Sequence, residues 1–340
     1  MSSAWSLLFV ALVVCCDGVQ ERVRLPFVPI PPPGAHIDPE VYMNASELIT
    51  SKDYPCERRF VHTVDGYILE VQRIPHGKNE ATHNGTKPVV FLQHGLLSSA
   101  ASYLENLANE SLPFILADAG MDVWLGNSRG NKYSRKHTHL NPDHDAFWEW
   151  SWDRWEMAEL DIPATVDYIL KETGQDQLYY IGHSQGGAIG LAAFSGDQQL
   201  AGKIKMFFAL APAAFIGHMK SPLKLLTPFA GSIEFLWELF GHGEFFQQSV
   251  LSDWFATEVC DAGLGNLLCE NLMFLLNGFD SKETNAQRER AYGASCPGEM
   301  HLISVKIVAN FWQFCEEQEI PKFDFGRQTR NMRHYNQVTF

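Results

Sequence analysis

The stretch Gly182-His-Ser-Gln-Gly-Gly187 decides the fold, because it joins a strand-like run to a helix-like run. The residues 178–181 before it are apolar or aromatic, and the small residues from Ala188 onward favour a helix. The pattern GxSxG alone arises by chance in roughly one chain in ten of this length. A strand, a sharp turn and a helix around it are typical of a nucleophile elbow, which makes Ser184 a candidate nucleophile.

The elbow lies within an alternation of strand and helix signals from residue 87 to 212. Strands are predicted in PVVFLQ, MDVWL, QLYYIG and KIKMFFAL, and helices in LPFILADAG, DIPATVDYILKETG and AIGLAAFSG. Before them, FVHTV and YILEVQRI flank Asp65-Gly66, which predicts an antiparallel hairpin with a two-residue turn. This order predicts an α/β fold with a mainly parallel sheet, entered through the hairpin.

After Pro212 the pattern changes to helix-like stretches with large apolar faces and no clear strand. A helical insertion over the carboxyl edge of the sheet explains this change better than a second independent domain.

Composition limits the class of protein. The chain has 340 residues, of which 46% are hydrophobic and 19% charged, and this favours a globular fold over disorder. The formal net charge of −14 argues against a nucleic-acid partner, because phosphate binding needs a basic face. We found no metal-ligand cluster and no phosphate-binding glycine loop in the sequence, so we expect no metal and no cofactor.

The first residues predict a secretory route. The apolar run 5–16 suits a signal peptide over residues 1–18, although no Lys or Arg precedes it. A proline-rich N-terminal lead follows over 19–58, and no later run reaches the roughly 18 apolar residues that a membrane helix needs. Sequons at Asn44, Asn84 and Asn109 agree with secretion and glycosylation.

Five cysteines remain after the signal peptide, and spacing alone does not fix their pairing. Cys260 and Cys269 are near enough to close a small loop, and so are Cys296 and Cys315, which would leave Cys56 over.

Acyl transfer to a serine needs two N–H donors directed at the developing oxyanion. Gln185, directly after the candidate nucleophile, would supply one. Leu96, in the loop that follows the strand PVVFL, would supply the other. Only the backbone of each residue is needed, so side-chain identity does not test either assignment.

Several motifs together resemble the acid lipase family, the gastric and lysosomal acid lipases and their animal relatives. They occur in the family order: FLQHGLLSSA, FILADAGMDVWLGNSRGN, DIPATVDYIL, GHSQGG, TEVC with LLCEN, and FDFG with NMRHYNQ. The resemblance implies an α/β-hydrolase fold, with the core over 59–212, a helical cap and lid over 213–325, and the start of the C-terminal core over 326–340.

The resemblance also implies roles for individual residues. Ser184 would be the nucleophile, Leu96 and Gln185 the oxyanion hole, and Cys260 with Cys269 the cap disulfide. The implied activity is hydrolysis of triacylglycerols, and in some members cholesteryl esters, at a lipid–water interface without a cofactor. We expect a monomer that is secreted or lysosomal.

The general base is the open question of the sequence. On this scaffold the triad runs Ser, then Asp or Glu, then His. The family has its Asp and His in segments that would follow Phe340, so by alignment both, and the last strands of the sheet, are missing from the 340 residues. Asp324 and His334 have the right order but match no triad position of the family, and His94 and His183 are better explained by structural hydrogen bonds.

The leading hypothesis is a lipid esterase of the acid lipase type. Two alternatives stay open, namely a truncated, non-catalytic lipid-binding isoform and an enzyme that transfers the acyl group to an acceptor other than water. An incomplete gene model or alternative transcript end explains the missing triad partners better than a functional truncated enzyme. The stretch WSWDRWEMAELDIPA is about two residues longer than the family version, so we expect the following helix to begin differently.

Overall fold

The computed structural model describes residues 39–78, 85–96, 98–150 and 156–214, and the backbone of 244–245 and 303–304. Expectations for the signal peptide, for Asn84, for the cysteines after Cys56 and for Asp324 and His334 lie outside these residues.

The N-terminal hairpin is present as predicted, with a longer turn. Strand β1 (Glu57–His62) pairs antiparallel with β2 (Tyr67–Ile74). The Thr63 amide donates to the Tyr67 carbonyl at 2.9 Å, which closes a three-residue turn over 64–66. The two-residue turn predicted at Asp65-Gly66 was wrong, because Gly66 at φ +100° ends a turn that is one residue longer.

The predicted α/β fold is confirmed, with a mixed sheet whose N-terminal strands are antiparallel and whose other strands are parallel. Its further strands are β3 (Val89–Gln93), β4 (Asp122–Leu125), β5 (Lys136–His137), β6 (Leu178–His183) and β7 (Ile204–Leu210). The order is β1-β2-β4-β3-β6-β7, with β5 beside β2. The pairs β3–β4, β3–β6 and β6–β7 are parallel, while β4 and β5 pair with β2 antiparallel.

Helices connect the strands. They are α1 (Ala45–Ser51), α2 (Leu112–Asp118), α3 (Ile162–Thr173), α4 (Gln185–Gly196) and α5 (Gln198–Gly202), with 3-10 turns at Pro39–Tyr42, Ala100–Tyr103 and Asp145–Trp148. A π-helical turn, Met157–Asp161, leads directly into α3. It lies in the stretch that the sequence shows as longer than in the family. Helix α3 ends at Gly174, whose φ of +65° is a left-handed cap.

The sheet is covered on both faces. Phe91 of β3 packs with α3 and α4 residues such as Val166 and Ile189. Its neighbour Leu92 points to the opposite face and packs with Leu48 of α1 and Phe114 of α2. All five residues of β3 are buried, as expected for a central strand of such a sheet. Helix α1 lies within the predicted N-terminal lead, yet it is part of this core.

The last strand of the described sheet differs from the centre. Met206, Phe208 and Leu210 alternate along β7 and are 53%, 43% and 40% exposed. Their neighbour Phe207 packs on Tyr180 and Phe194 beneath α4. Within the described ranges, no helix is long and apolar enough to span a membrane.

The few residues that the structure describes after position 214, in the segment predicted as a helical cap, form one short pairing. Strand β8 (Glu244–Phe245) pairs antiparallel with β9 (Ile303–Ser304), where we expected no strand. Two residues per strand are too few to give a periodic signal in the sequence.

Candidate active site

Ser184 occupies a sharp turn between β6 and α4. Its backbone has φ +51° and ψ −113°, a region that costs a non-glycine residue about 1–3 kcal/mol. The Ser184 amide donates to the Leu210 carbonyl at 2.9 Å, and its carbonyl accepts from Gly187 at 3.0 Å and Ala213 at 3.1 Å. The side chain is partly exposed and makes no capping hydrogen bond to α4, so Oγ is not engaged by the helix amides.

The turn packs backbone against backbone. A Cβ on Gly182 would lie 2.4 Å from the Gly186 carbonyl oxygen. A Cβ on Gly186 would lie 2.3 Å from the Gln93 oxygen and 2.7 Å from the His94 oxygen, at the end of β3. Only glycine fits at either position, since real Cβ atoms do not approach so closely. The two glycines of the motif therefore seat the elbow directly on the neighbouring strand.

The loop after β3 reaches Ser184. A Cβ on Gly95 would lie 3.1 Å from the Ser184 Cβ, so the backbone just before Leu96 touches the serine. On the other side, Gln185 is buried and begins α4. The first N–H groups of a helix lack helical acceptors and lie at its positive end. The structure thus brings together the three residues that the sequence selected.

His94 is held between two backbone groups. Its Nε2 accepts from the Ser128 amide at 3.0 Å, so the proton is on Nδ1, which donates to the Gly95 carbonyl at 2.7 Å. Burial lowers the pKa of His94 to about 4. Both ring nitrogens are therefore occupied, and the ring stays neutral over most of the pH range. This agrees with a structural role for His94 and leaves it unable to act as the base for Ser184.

A polar loop after β4, residues 126–131, supports this region. Asn127 Oδ1 accepts from the Ala100 amide at 3.0 Å. Asn127 Nδ2 donates to the Glu70 carbonyl and to Gln72 Oε1, both at 2.9 Å. The loop is therefore bonded to the 3-10 turn that follows β3 on one side and to β2 on the other.

Arg129 anchors the same loop by charge. Its guanidinium is 1% exposed and bonds Asp161 Oδ1 at 2.6 Å and Asp65 Oδ2 at 2.7 Å. It also stacks over the Tyr67 ring, 4.2 Å from the centroid. Burial acts to raise the pKa of Asp65, but the hydrogen bonds and charge of Arg129 outweigh it and lower that pKa.

Sequence reasoning missed this polar support. A signal was present, since the polar stretch GNSRGN directly follows the fully buried strand β4. A cation in that position requires buried carboxylates. The sequence does not predict which carboxylates pair with Arg129, because Asp65 and Asp161 are far from it along the chain.

The other selected residues lie away from the elbow. The Asn44 side chain caps α1, with Oδ1 accepting from Ser46 at 3.0 Å and Glu47 at 3.1 Å. Asn44 and Asn109 are both exposed, as attachment of a glycan requires. Cys56 has a free thiol, and burial raises its pKa.

A strained serine between a parallel strand and a helix, beside a loop from the adjacent strand, defines an α/β hydrolase. The model of the partial alpha/beta-hydrolase lipase region matches residues 45–107, and the model of the alpha/beta hydrolase fold matches 88–240. The chain is 46% identical to human lysosomal acid lipase/cholesteryl ester hydrolase, over 88% of this chain and 74% of the relative.

Gastric triacylglycerol lipases are equally similar. The human enzyme is 47% identical over 88% of this chain and 73% of its own length, and the rat enzyme 46% over 89% and 75%. The chain therefore belongs to the acid lipase family of α/β hydrolases, and by family it is a lipase.

Proposed function

We propose that the protein hydrolyses lipid carboxylic esters through Ser184 as nucleophile, with the backbone N–H groups of Leu96 and Gln185 as the oxyanion hole. The observation that carries the proposal is the contact between the elbow and residues 94–96 after β3, which we call the oxyanion loop. Ser184 has φ +51°, and a Cβ on Gly95 would lie 3.1 Å from its Cβ. The loop before Leu96 and the start of α4 at Gln185 therefore lie beside Ser184 at the carboxyl edge of the sheet, which supports these assignments.

The chemistry follows from that arrangement. Ser184 Oγ gives its proton to a base and bonds to the ester carbonyl carbon, while the carbonyl oxygen becomes an oxyanion that accepts from Leu96 and Gln185. Collapse breaks the bond to the alcohol, which leaves with the proton. Water then repeats the sequence on the acyl-enzyme and releases the fatty acid. We expect the base to be a histidine oriented by a carboxylate, which is how this scaffold completes its triad.

The proposed substrates are triacylglycerols, with cholesteryl esters as the alternative class, because the relatives' names specify these two classes. We also propose a secretory location, either extracellular or lysosomal, with glycans on Asn44, Asn84 and Asn109. The cap over 213–325 and the disulfide Cys260–Cys269 belong to the same proposal.

The test is covalent labelling of the native protein by a long-chain alkyl phosphonate, followed by peptide mass spectrometry. We expect one adduct on Ser184, no adduct in Ser184→Ala, and release of fatty acid from a triacylglycerol emulsion by the unmodified protein only. Acyl-chain binding without any adduct would instead support a non-catalytic lipid-binding protein.

The same digest locates the base. The mass of the C-terminal peptide shows whether the native chain continues past Phe340 into a segment with Asp and His. If labelling is absent from a protein that does contain that segment, the proposed role of Ser184 is wrong. Adding a competing alcohol then separates hydrolysis from transfer, because a transferase would yield mainly the new ester.

A further inference from the structure

The peptide group between Gly95 and Leu96 has one end fixed by a side chain. The Gly95 carbonyl accepts from His94 Nδ1 at 2.7 Å. In a trans peptide the carbonyl and the following N–H point in opposite directions in one plane. A hydrogen bond that fixes the Gly95 oxygen therefore also fixes the direction of the Leu96 N–H.

The His94 ring is itself fixed from outside the loop. The Ser128 amide donates to Nε2 at 3.0 Å, which leaves Nδ1 as the protonated nitrogen. A second residue of the same polar loop, Asn127, holds the Ala100 amide at 3.0 Å, beyond the oxyanion loop. Loop 126–131 thus fastens the segment 94–100 near both of its ends.

We propose that His94 is a positioning residue for the reaction: its Nδ1–H holds the Gly95–Leu96 peptide so that the Leu96 N–H is directed at the oxyanion, and its Nε2 takes this orientation from the Ser128 amide. The inference rests on the proposed function, because it assigns Leu96 as an oxyanion donor. It assigns His94 no contact with substrate and no proton transfer.

Two substitutions test the hydrogen bonds of the two His94 ring nitrogens separately. The amide nitrogen of Asn in His94→Asn occupies about the place of Nδ1 and can still donate to the Gly95 carbonyl. The longer Gln in His94→Gln reaches instead toward the Ser128 amide and cannot also hold the Gly95 carbonyl. The Asn variant therefore keeps the contact with the Gly95 carbonyl, and the Gln variant keeps the contact with the Ser128 amide. Neither side chain is larger than imidazole.

The measurement is kcat and KM on a soluble ester with the native protein and both variants. We expect His94→Gln to lower kcat about 10²-fold with little change in KM, since a displaced oxyanion donor acts only on the transition state. We expect His94→Asn to keep kcat within about 10-fold of the native value. A purely structural role for His94 predicts that kcat follows the thermal stability of the two variants, and such a result would overturn the proposal.

A boronic acid gives a second readout. Its adduct on Ser184 is tetrahedral and anionic, so its affinity requires the oxyanion hole, whereas an uncharged fatty alcohol needs only the acyl pocket. His94→Gln should weaken the boronate in proportion to kcat and leave alcohol binding unchanged. Equal boronate affinity in all three proteins refutes the role of His94, while a native protein that binds no boronate refutes the proposed function.

Discussion

The elbow and the proposed oxyanion loop lie side by side at one edge of the sheet, and they are held in opposite ways. The elbow is fixed by close packing of backbone on backbone, which only the glycines at Gly182 and Gly186 allow. The oxyanion loop is fixed by buried polar groups, since His94 accepts from the Ser128 amide and Asn127 holds the Ala100 amide, while Arg129 anchors loop 126–131 itself. Neighbouring parts of one site therefore differ in what disturbs them: the elbow responds to volume, and the oxyanion loop responds to charge and protonation.

The largest effect is expected from Arg129→Met, which tests whether charge anchors the oxyanion side. The change leaves Asp161 buried without its partner, and breaking a buried pair in this way costs about 3–5 kcal/mol of unfolding free energy. Urea denaturation measures the loss. The matched control is Lys203→Met, because Lys203 pairs with Asp167 at the surface. That change should cost less than about 1 kcal/mol. Equal losses in the two variants would mean that the buried ion pairs of Arg129 do not stabilise this part of the protein more than a surface pair does.

The second prediction concerns pH. The pKa of His94 is about 4 in the folded chain and about 6.5 when unfolded, so above pH 6.5 both states are neutral. Between pH 6.5 and 4 only the unfolded chain binds the proton, and the free energy of unfolding falls as pH falls, by about 3 kcal/mol in total.

Urea unfolding of the native protein and of His94→Asn at pH 7 and pH 4 checks this value. The variant lacks the titrating ring, so it should lose about 3 kcal/mol less than the native protein over the same range. The same pH dependence in both proteins would mean that burial of His94 does not control it.

The third prediction tests the elbow by volume. In Gly186→Ala the new methyl group meets the Gln93 and His94 carbonyl oxygens, and overpacking of this kind costs about 1–3 kcal/mol. We expect a lower melting temperature and slower phosphonate labelling, because Ser184 moves with the turn. Gly196→Ala is the control, since a Cβ there meets nothing within 4 Å. If both variants label at the native rate, the elbow does not depend on close packing.

The smallest effect is expected from Ser128→Ala, which tests the contribution of the Ser128 side chain apart from that of its backbone amide. The hydroxyl accepts from Gln93 Nε2 at 2.8 Å, and its loss leaves that buried donor unpaired, at about 1 kcal/mol. The Ser128 amide that holds His94 is retained. The fall in kcat should therefore be much smaller than in His94→Gln. A comparable fall would mean that the Ser128 hydroxyl, and not the Ser128 amide, holds His94 in position.

The two sides of the site also differ in how far the sequence predicted them. The elbow was predictable because its requirements are local: two glycines, a serine, a strand before and a helix after. The support of the oxyanion loop was not, because it pairs residues that are distant along the chain, such as Arg129 with Asp65 and His94 with Ser128. The hairpin followed from its alternation, but the length of its turn depended on the backbone of Gly66.

The ion pairs of Arg129 also predict an order of events in folding. Its two carboxylate partners are 64 and 32 residues away, one in the N-terminal hairpin turn and one at the start of α3. Each contact requires the closure of a long loop, which costs conformational entropy before any charge is neutralised. The guanidinium can leave water at low cost only when both segments have arrived. The edge of the sheet that carries Ser184 should therefore become rigid late in folding, after the hairpin and α3 have docked on the sheet.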